Sequence, residues 1–326
     1  MFDVCAIGEL IVDCTPAGSS TEVQPVFACY PGGAPSNVAA CVAKLGMTSG
    51  YIGVVGDDHF GRFLLQRLKN VGVSTEGIFS TPDYNTTLAF VHLNEVGDRS
   101  FSFYRKPGAD IMLEREMIDY SMITEAKIFH FGSVSMTDDP SRDATLYAAD
   151  YAKKHNITVS YDPNLRLNLW NSEEEAKECI KKGLAFADIV KISEEELVFL
   201  TQDGDYVEGA RSLIGEYGIK VVFVTLGNKG AMYVTDSASF YLPTFDVPVK
   251  DTNGAGDAFT GGLLYSIISK GKKLDTFTEE EWKDILNFAN AVGALTTMNS
   301  GAIPALPSLA EVNECIRKMP YIDCQL

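Results

Sequence analysis

Asp251-Thr252-Asn253-Gly254-Ala255-Gly256-Asp257-Ala258-Phe259 is the most informative stretch of this 326-residue chain. It follows an extended run, Phe245–Lys250, and opens a helix predicted over Ala258–Ser269. Glycines let the backbone turn tightly and let a ligand approach its N–H groups. A helix start leaves its first N–H groups unpaired and carries partial positive charge. Together these make an anion site, with the Asp257 carboxylate beside it. An anion pocket next to a general base suits phosphoryl transfer: the base orients and deprotonates a hydroxyl while the amides stabilise the transferring group. Taken alone, the loop reads equally well as a Gly-rich turn capped by an aspartate. Two better-known loops are excluded. The P-loop pattern G-x-x-x-x-G-K-[ST] is absent from the chain. Gly254-x-Gly256 lacks the third glycine of the dinucleotide fingerprint, and Asp257 would repel a pyrophosphate there.

Outward from this loop the chain alternates strand and helix. Strands are predicted at Phe2–Gly8, Tyr51–Val55, Lys127–Phe131, Ile157–Tyr161, Ile189–Ile192 and Val221–Thr225. Helices are predicted at Ser36–Leu45, Phe60–Leu68, Pro140–Lys154, Glu173–Ala187, Glu194–Leu200 and Glu208–Tyr217. Continuous apolar strands between helices argue for a parallel sheet covered on both faces. Two stretches break the rhythm. Thr87–Leu93 and Ser100–Arg105 flank the turn Asn94-Glu95-Val96-Gly97-Asp98, a β-hairpin pattern, and a short strand is predicted at Glu22–Phe27. The hairpin carries apolar residues on both faces, so both need cover. A small β lid over a pocket, its outer face covered by a second subunit, meets that need; an antiparallel edge of the main sheet is the competing reading.

Composition narrows the classes. Lys plus Arg number 27 and Asp plus Glu 44, a net charge of −17, which opposes binding to nucleic acid or anionic lipid. No run of 18 apolar residues offers a membrane-spanning helix. The start, MFDVCAIGELIVDC, reads as no secretory signal. Seven scattered cysteines without a C-x-x-C read as reduced thiols in the cytosol. The four histidines, His59, His92, His130 and His155, are isolated and suggest no zinc site.

The loop Asp-Thr-x-Gly-Ala-Gly-Asp resembles the C-terminal signature of the ribokinase-like carbohydrate kinase family. Pro31-Gly32-Gly33-Ala34-Pro35-Ser36-Asn37-Val38-Ala39 resembles its N-terminal signature, and the spacing of the two covers almost the whole chain. Asp162-Pro163-Asn164-Leu165-Arg166 with Leu169-Trp170, and Gly301-Ala302-Ile303-Pro304-Ala305-Leu306-Pro307, are similar to fructokinases. The resemblance implies one domain over residues 1–326. Its fold would be a ribokinase-like three-layer α/β/α sandwich with a mostly parallel central sheet and a small β-sheet lid, formed by about 13–30 and 86–106.

The resemblance also implies roles. Asp257 would be the catalytic base, and the amides of Gly254, Ala255, Gly256 and Asp257 the hole for the γ-phosphate. Asp13 would take a vicinal diol of the sugar, since a carboxylate accepts two hydroxyl hydrogens. Gly32 and Gly33 would let the sugar lie against the backbone beside Asn37. Tyr104, Arg105 and Arg166 would reach the same pocket. On the nucleotide side, Thr225, Gly227, Lys229 and Gly230 would line a turn beside ATP, and Asn290 would flank the adenine. Ser193-Glu194-Glu195-Glu196 stands where the family has Asn-x-x-Glu, so Glu196 would organise Mg²⁺ through water; Ser193 departs from that pattern. A potassium ion would use Asp251 and carbonyls near Asn253 and in 296–301.

The implied activity is ATP-dependent phosphorylation of D-fructose to fructose 6-phosphate, by a cytoplasmic homodimer joined through the β lid. A 2-keto-3-deoxygluconate kinase is the alternative with the same chemistry, because Arg166 would suit a substrate carboxylate. A catalytically silent sugar-binding relative is the alternative from another class.

Overall fold

The alternation becomes one large sheet covered by helices, with a second, small sheet beside it. The computed structural model describes residues 1–18, 24–93 and 99–323. In chain order the strands are β1 (Phe2–Ile7), β2 (Ile11–Pro16), β3 (Phe27–Gly32), β4 (Ser49–Gly56), β5 (Val73–Thr81), β6 (Leu88–Leu93), β7 (Arg99–Tyr104), β8 (Ala126–Gly132), β9 (Thr158–Asp162), β10 (Ile189–Ser193), β11 (Val221–Thr225), β12 (Ala231–Val234) and β13 (Ser239–Leu242). The helices are α1 (Ala34–Lys44), α2 (His59–Val71), α3 (Tyr120–Thr124), α4 (Ser141–Lys154), α5 (Glu173–Leu184), α6 (Glu194–Thr201), α7 (Tyr206–Tyr217), α8 (Ala255–Lys270), α9 (Glu279–Thr296) and α10 (Leu309–Lys318).

The large sheet runs β13-β12-β11-β10-β9-β8-β1-β4-β5. It is parallel from β11 to β5, and antiparallel where β12 pairs with β11 and with β13. Each central strand feeds both faces. In β1, Val4 and Ala6 pack among residues of α1, α8 and α9, while Cys5 and Ile7 pack among residues of α4 and α5. Period-2 alternation with both faces apolar is what a sheet between two helical layers requires. Three helices begin with a reciprocal cap: Ser193 with Glu196 on α6, Thr278 with Glu281 on α9, and Ser308 with Glu311 on α10.

The small sheet runs β3-β2-β6-β7, so the predicted hairpin is not an edge of the main sheet. Its second strand pair was misplaced by the sequence pattern. Of the expected strand Glu22–Phe27, residues 22–23 lie outside the described residues and 24–26 are not strand; the observed antiparallel partner of β2 is Phe27–Gly32, with Asp13 opposite Tyr30. The turn Asn94–Asp98 and the last three residues of the tail Met319–Leu326 also lie outside the described residues. Earlier in that tail, Tyr321 bridges Phe245.

Two boundary differences matter for the site. Helix α1 begins at Ala34 rather than Ser36, because Pro35 suits a first helical turn. Helix α8 begins at Ala255 rather than Ala258. Gly254 adopts a left-handed conformation, φ +75°, and a Cβ there would lie 2.4 Å from Ala302. The helix therefore starts three residues earlier, and Asp257 falls inside its first turn.

Candidate active site

Asp257 sits where β9, α1 and α8 converge. Asn37, one turn into α1, donates from Nδ2 to Asp257 Oδ2 (2.8 Å), and Asn164 Nδ2 donates to Oδ1 (3.2 Å). Both oxygens are thus aimed by fixed amides. Burial raises the carboxyl to about 6, and the Asp162 charge adds to it; the Asn37 bond, Lys191 and Arg166 pull the other way. A carboxylate poised near 6 is ionised at neutral pH yet a better proton acceptor than an exposed aspartate.

Asp13 lies on β2 across the same cleft. Asn253 Nδ2 approaches its Oδ2 at 3.4 Å. Burial raises Asp13 to about 6 as well, opposed by the Asn253 bond and Arg166. A Cβ on Gly32 would fall 2.4 Å from Asp13 Oδ2, so a side chain there would collide with the carboxylate. Arg166, Asn164, Gly33, Asn37, Asn253 and Asp257 line the cleft with Asp13. The sequence expectations for Asp13, Gly33, Asn37, Arg166 and Asp257 converge on one cavity.

Two lid residues do not reach it. Tyr104 is 69% exposed and packs edge-on against Phe90 (5.3 Å). The cause is strand parity. Ala89 pairs with both Asp13 and Phe103, so Phe103 shares the face of Asp13 and its neighbour Tyr104 points away. Phe103 lines the cleft in its place. Arg105 is buried, but its guanidinium is spent on structure. Nε donates to Asp110 (2.7 Å), one terminal nitrogen to Thr137 Oγ1 (2.6 Å) and the other to Val134 C=O (3.0 Å). Asp110 also accepts from the Thr87 hydroxyl. Arg105 therefore fastens the end of β7 to the main body, behind the cleft wall formed by Val134.

Three further residues belong to this region and escaped the sequence reading: Asn164, Glu9 and Lys191. Lys191 interrupts the apolar strand β10, and that interruption was the available signal. Its ammonium pairs with Asp162 (3.2 Å) and lies 3.3 Å from where a Cβ on Gly256 would be. Burial pulls Lys191 down, but Asp162, Glu196 and Asp257 together lift it above its ordinary value. It supplies a cation under the Gly254–Asp257 loop. Ala255 N–H, expected in the anion hole, is taken by Thr252 C=O (3.3 Å), which leaves the expected amides of Gly254, Gly256 and Asp257 for an anion.

On the other side of that loop runs a second, larger groove of about 1040 Å³, its mouth included. Ser193, Thr225, Gly227, Gly230, Ala255, Gly256 and Asn290 line it, with Phe245, Val247, Val249 and Phe259 as apolar walls. Asn290 is held by Leu242 and Pro243 carbonyls (3.2 and 3.3 Å). Lys229 does not line the groove; it is exposed on the turn Gly227–Lys229, whose Asn228 faces the groove instead. The apolar walls and backbone-rich floor suit a planar base with a polyphosphate running to the α8 start.

The acidic residues near this groove are mostly engaged. Glu196 accepts from Ser193 N–H (2.9 Å) and Leu165 N–H (2.6 Å). Asp251 accepts from Asn253 N–H (2.9 Å) and Gly301 N–H (3.0 Å), which pins the loop to 301. The Asn253 side chain turns to Asp13 in the first cleft rather than to a cation beside Asp251. Among the described residues, no cluster of three His, Cys, Asp or Glu forms a metal cage.

Two clefts that meet at a helix start, with a buried carboxyl between them, have the layout of a phosphoryl-transfer enzyme of the sugar kinase class. Residues 1–309 match the pfkB family carbohydrate kinase model, and the chain belongs to that family. Fructokinase-2 of Oryza sativa subsp. japonica is 42% identical over 318 residues, 97% of this chain and 94% of that protein. The crystal structure of fructokinase with bound ATP from Xylella fastidiosa is 34% identical, with a TM-score of 0.88, and covers 97% of this chain and 99% of that one. A fructokinase double mutant from Vibrio cholerae O395, in its fructose, ADP and potassium ion bound form, is 36% identical with a TM-score of 0.87, covering 96% and 97%. The fold is accordingly ribokinase-like.

Proposed function

We propose that the chain transfers the γ-phosphoryl group of ATP to the C6 hydroxyl of D-fructose, giving fructose 6-phosphate and ADP. The observation that carries this reading is the doubly anchored, buried Asp257 at the meeting of the two clefts. Full-length similarity to fructokinases supports the choice of sugar.

In this reading the sugar diol lies on Asp13 and the C6 hydroxyl faces Asp257. Asp257 takes the hydroxyl proton as that oxygen attacks the γ-phosphorus in line, and the bond to the ADP oxygen breaks. The amides of Gly256 and Asp257, with Lys191 beneath them, meet the charge on the transferring group. The lid closes over the sugar and excludes water, a competing acceptor. Mg²⁺ bound with the nucleotide would neutralise phosphate charge; Glu195, which lines the groove, and Glu196 would help to hold its waters. Potassium would use the remaining lone pairs of Asp251 and carbonyls near Asn253 and in 296–301.

The single domain 1–326, with its lid at about 13–30 and 86–106, is proposed to work as a homodimer. The lid's outer face presents Tyr104 and Cys29 to a partner. Light scattering at micromolar concentration should give twice the chain mass; a monomer removes this part. A cytoplasmic setting agrees with the six unpaired cysteines among the described residues. No helix among the described residues is long and apolar enough to cross a membrane.

The deciding experiment is ADP production with MgATP and fructose, 2-keto-3-deoxygluconate, ribose, glucose, adenosine or no sugar. Fructose-dependent turnover is expected. Preference for another sugar overturns the substrate and keeps the mechanism.

A further inference from the structure

Glu9 is an ionisable side chain between two apolar strands, its carboxyl raised by burial to about 7 and so ionised above neutral pH. The tripeptide Gly8-Glu9-Leu10 links β1 of the main sheet to β2 of the lid. The residue is only 3% exposed. Its Oε1 accepts from Ala34 N–H at the start of α1 (2.8 Å), whereas Oε2 is buried and has no hydrogen-bond partner. Its backbone is also fixed. The Tyr51 hydroxyl donates to its C=O (2.6 Å), and Gly33, at φ +109°, passes so close that a Cβ would lie 2.2 Å from that oxygen.

A buried carboxylate oxygen without a donor is costly, and few natural structures keep one without use. The nearby cation does not serve it: the Arg105 guanidinium is directed to Asp110, Thr137 and Val134, and Oε2 has no hydrogen bond from it. Glu9 lines the same cleft as Asp13 and Asp257. It is anchored on α1 at Ala34, and Asp257 at Asn37, so the two carboxylates hold one helix about a turn apart. Asp257 takes the acceptor hydroxyl and Asp13 the ring diol. On that reading two hydroxyls are left for Glu9, those on C1 and the anomeric C2, both at the opposite end, and the C1 hydroxyl on its rotatable arm is the one free to turn toward Oε2.

We propose that Glu9 determines sugar specificity: its free Oε2 accepts a hydrogen bond from the C1 hydroxyl of fructose, the end remote from the phosphoryl acceptor. This rests on the reading of fructose as substrate. A pentose without that hydroxymethyl group leaves Oε2 unpaired in the closed cleft and is rejected for that reason, as sites built around a substrate hydroxyl reject analogues lacking it.

The test compares kcat and KM for D-fructose and 1-deoxy-D-fructose with wild type, Glu9→Gln and Glu9→Asp. Gln keeps an acceptor for Ala34 N–H and turns the free oxygen into an NH₂. Wild type should prefer fructose over the deoxy sugar by at least about tenfold in kcat/KM, the scale of one hydrogen bond to a charged group. Glu9→Gln should raise the fructose KM about tenfold with kcat nearly unchanged, and should lose most of the discrimination. Equal use of the two sugars by wild type overturns the proposal. So does a variant that weakens both equally, which is the mark of a merely structural role. If Glu9→Gln does not fold, Glu9→Asp, one methylene shorter, carries the same comparison. Absence of wild-type turnover on fructose would instead strike the substrate reading itself.

Discussion

The sugar cleft and the nucleotide groove share one loop, 251–257, yet are made of different materials. The cleft is a set of buried ionisable and amide side chains that hold each other: Asp257 with Asn37 and Asn164, Asp13 with Asn253, Glu9 with the start of α1. The groove is mostly backbone, glycine and apolar wall, with Asn290 tied to two carbonyls. Charge placed in low dielectric is strong and specific, and it must be aimed. Backbone amides and apolar walls tolerate change more readily, because no single side chain carries the contact. Substitutions in the cleft should therefore be severe and selective, and those around the groove mild.

The hardest test of that contrast is Asp257→Asn. It should lower kcat by roughly 10²–10⁴ while leaving the thermal midpoint within a few degrees. A variant keeping more than a tenth of the rate would end the base assignment and the contrast with it. Acid should act next most strongly. Asp257 and Asp13 are both raised to about 6, and both serve as acceptors only when ionised. Below pH 6 the protonation of Asp257 and Asp13 should each remove activity, so log kcat/KM should fall with a slope of at least two, and Glu9, raised by burial to about 7, adds a shallower loss that begins nearer neutrality. Asp13→Asn should reduce that slope toward one in whatever activity remains.

On the groove side, Asn290→Ala should raise the KM for ATP by only about tenfold and leave the sugar KM alone, since it removes one polar anchor. A shift in the sugar KM would show that the two regions are less separate than their lining suggests. The smallest effects sharpen the picture of the lid. Tyr104→Ala and Lys229→Ala should each leave kcat/KM within about twofold, as expected for exposed positions away from the lining. Phe103→Ala should raise the sugar KM several-fold. Sugar-binding assays on the pair Phe103 and Tyr104 would reverse this order if the strand register were shifted by one residue.

The same contrast explains what could be read before any coordinates. Asp257, Asp13 and Asn37 were legible because each lies in a short motif with its own turn or helix start. Tyr104 and Arg105 were misread because a strand's two faces are one residue apart, and the hairpin's apolar residues occupy both. Strand β5 escaped notice for a related reason. Its pairing with β4 shifts between Gly50 and Ile52, and that irregularity breaks the period-2 pattern over Val73–Thr81. Strands β12 and β13 are four residues each, too short to stand out. Lys191 and Glu9 carried a signal that local pattern cannot decode: a charge where burial is expected. Only the partners, Asp162 from another strand and Ala34 from across the lid junction, give those charges a purpose.

The order of the main sheet has a consequence for how the protein is made. Strand β1 precedes its neighbours in the chain yet becomes an interior strand: it pairs with β4 on one side and with β8 on the other, Val4 against Ile128. At ribosomal speeds of about 5–20 residues per second, that second partner emerges roughly 6–25 s after the first strand. Throughout that interval one edge of β1, with apolar Val4, Cys5, Ala6 and Ile7, is an open template for strand pairing. The nascent chain is thus most exposed to misassembly between the emergence of β1 and that of β8, when the sheet closes around β1.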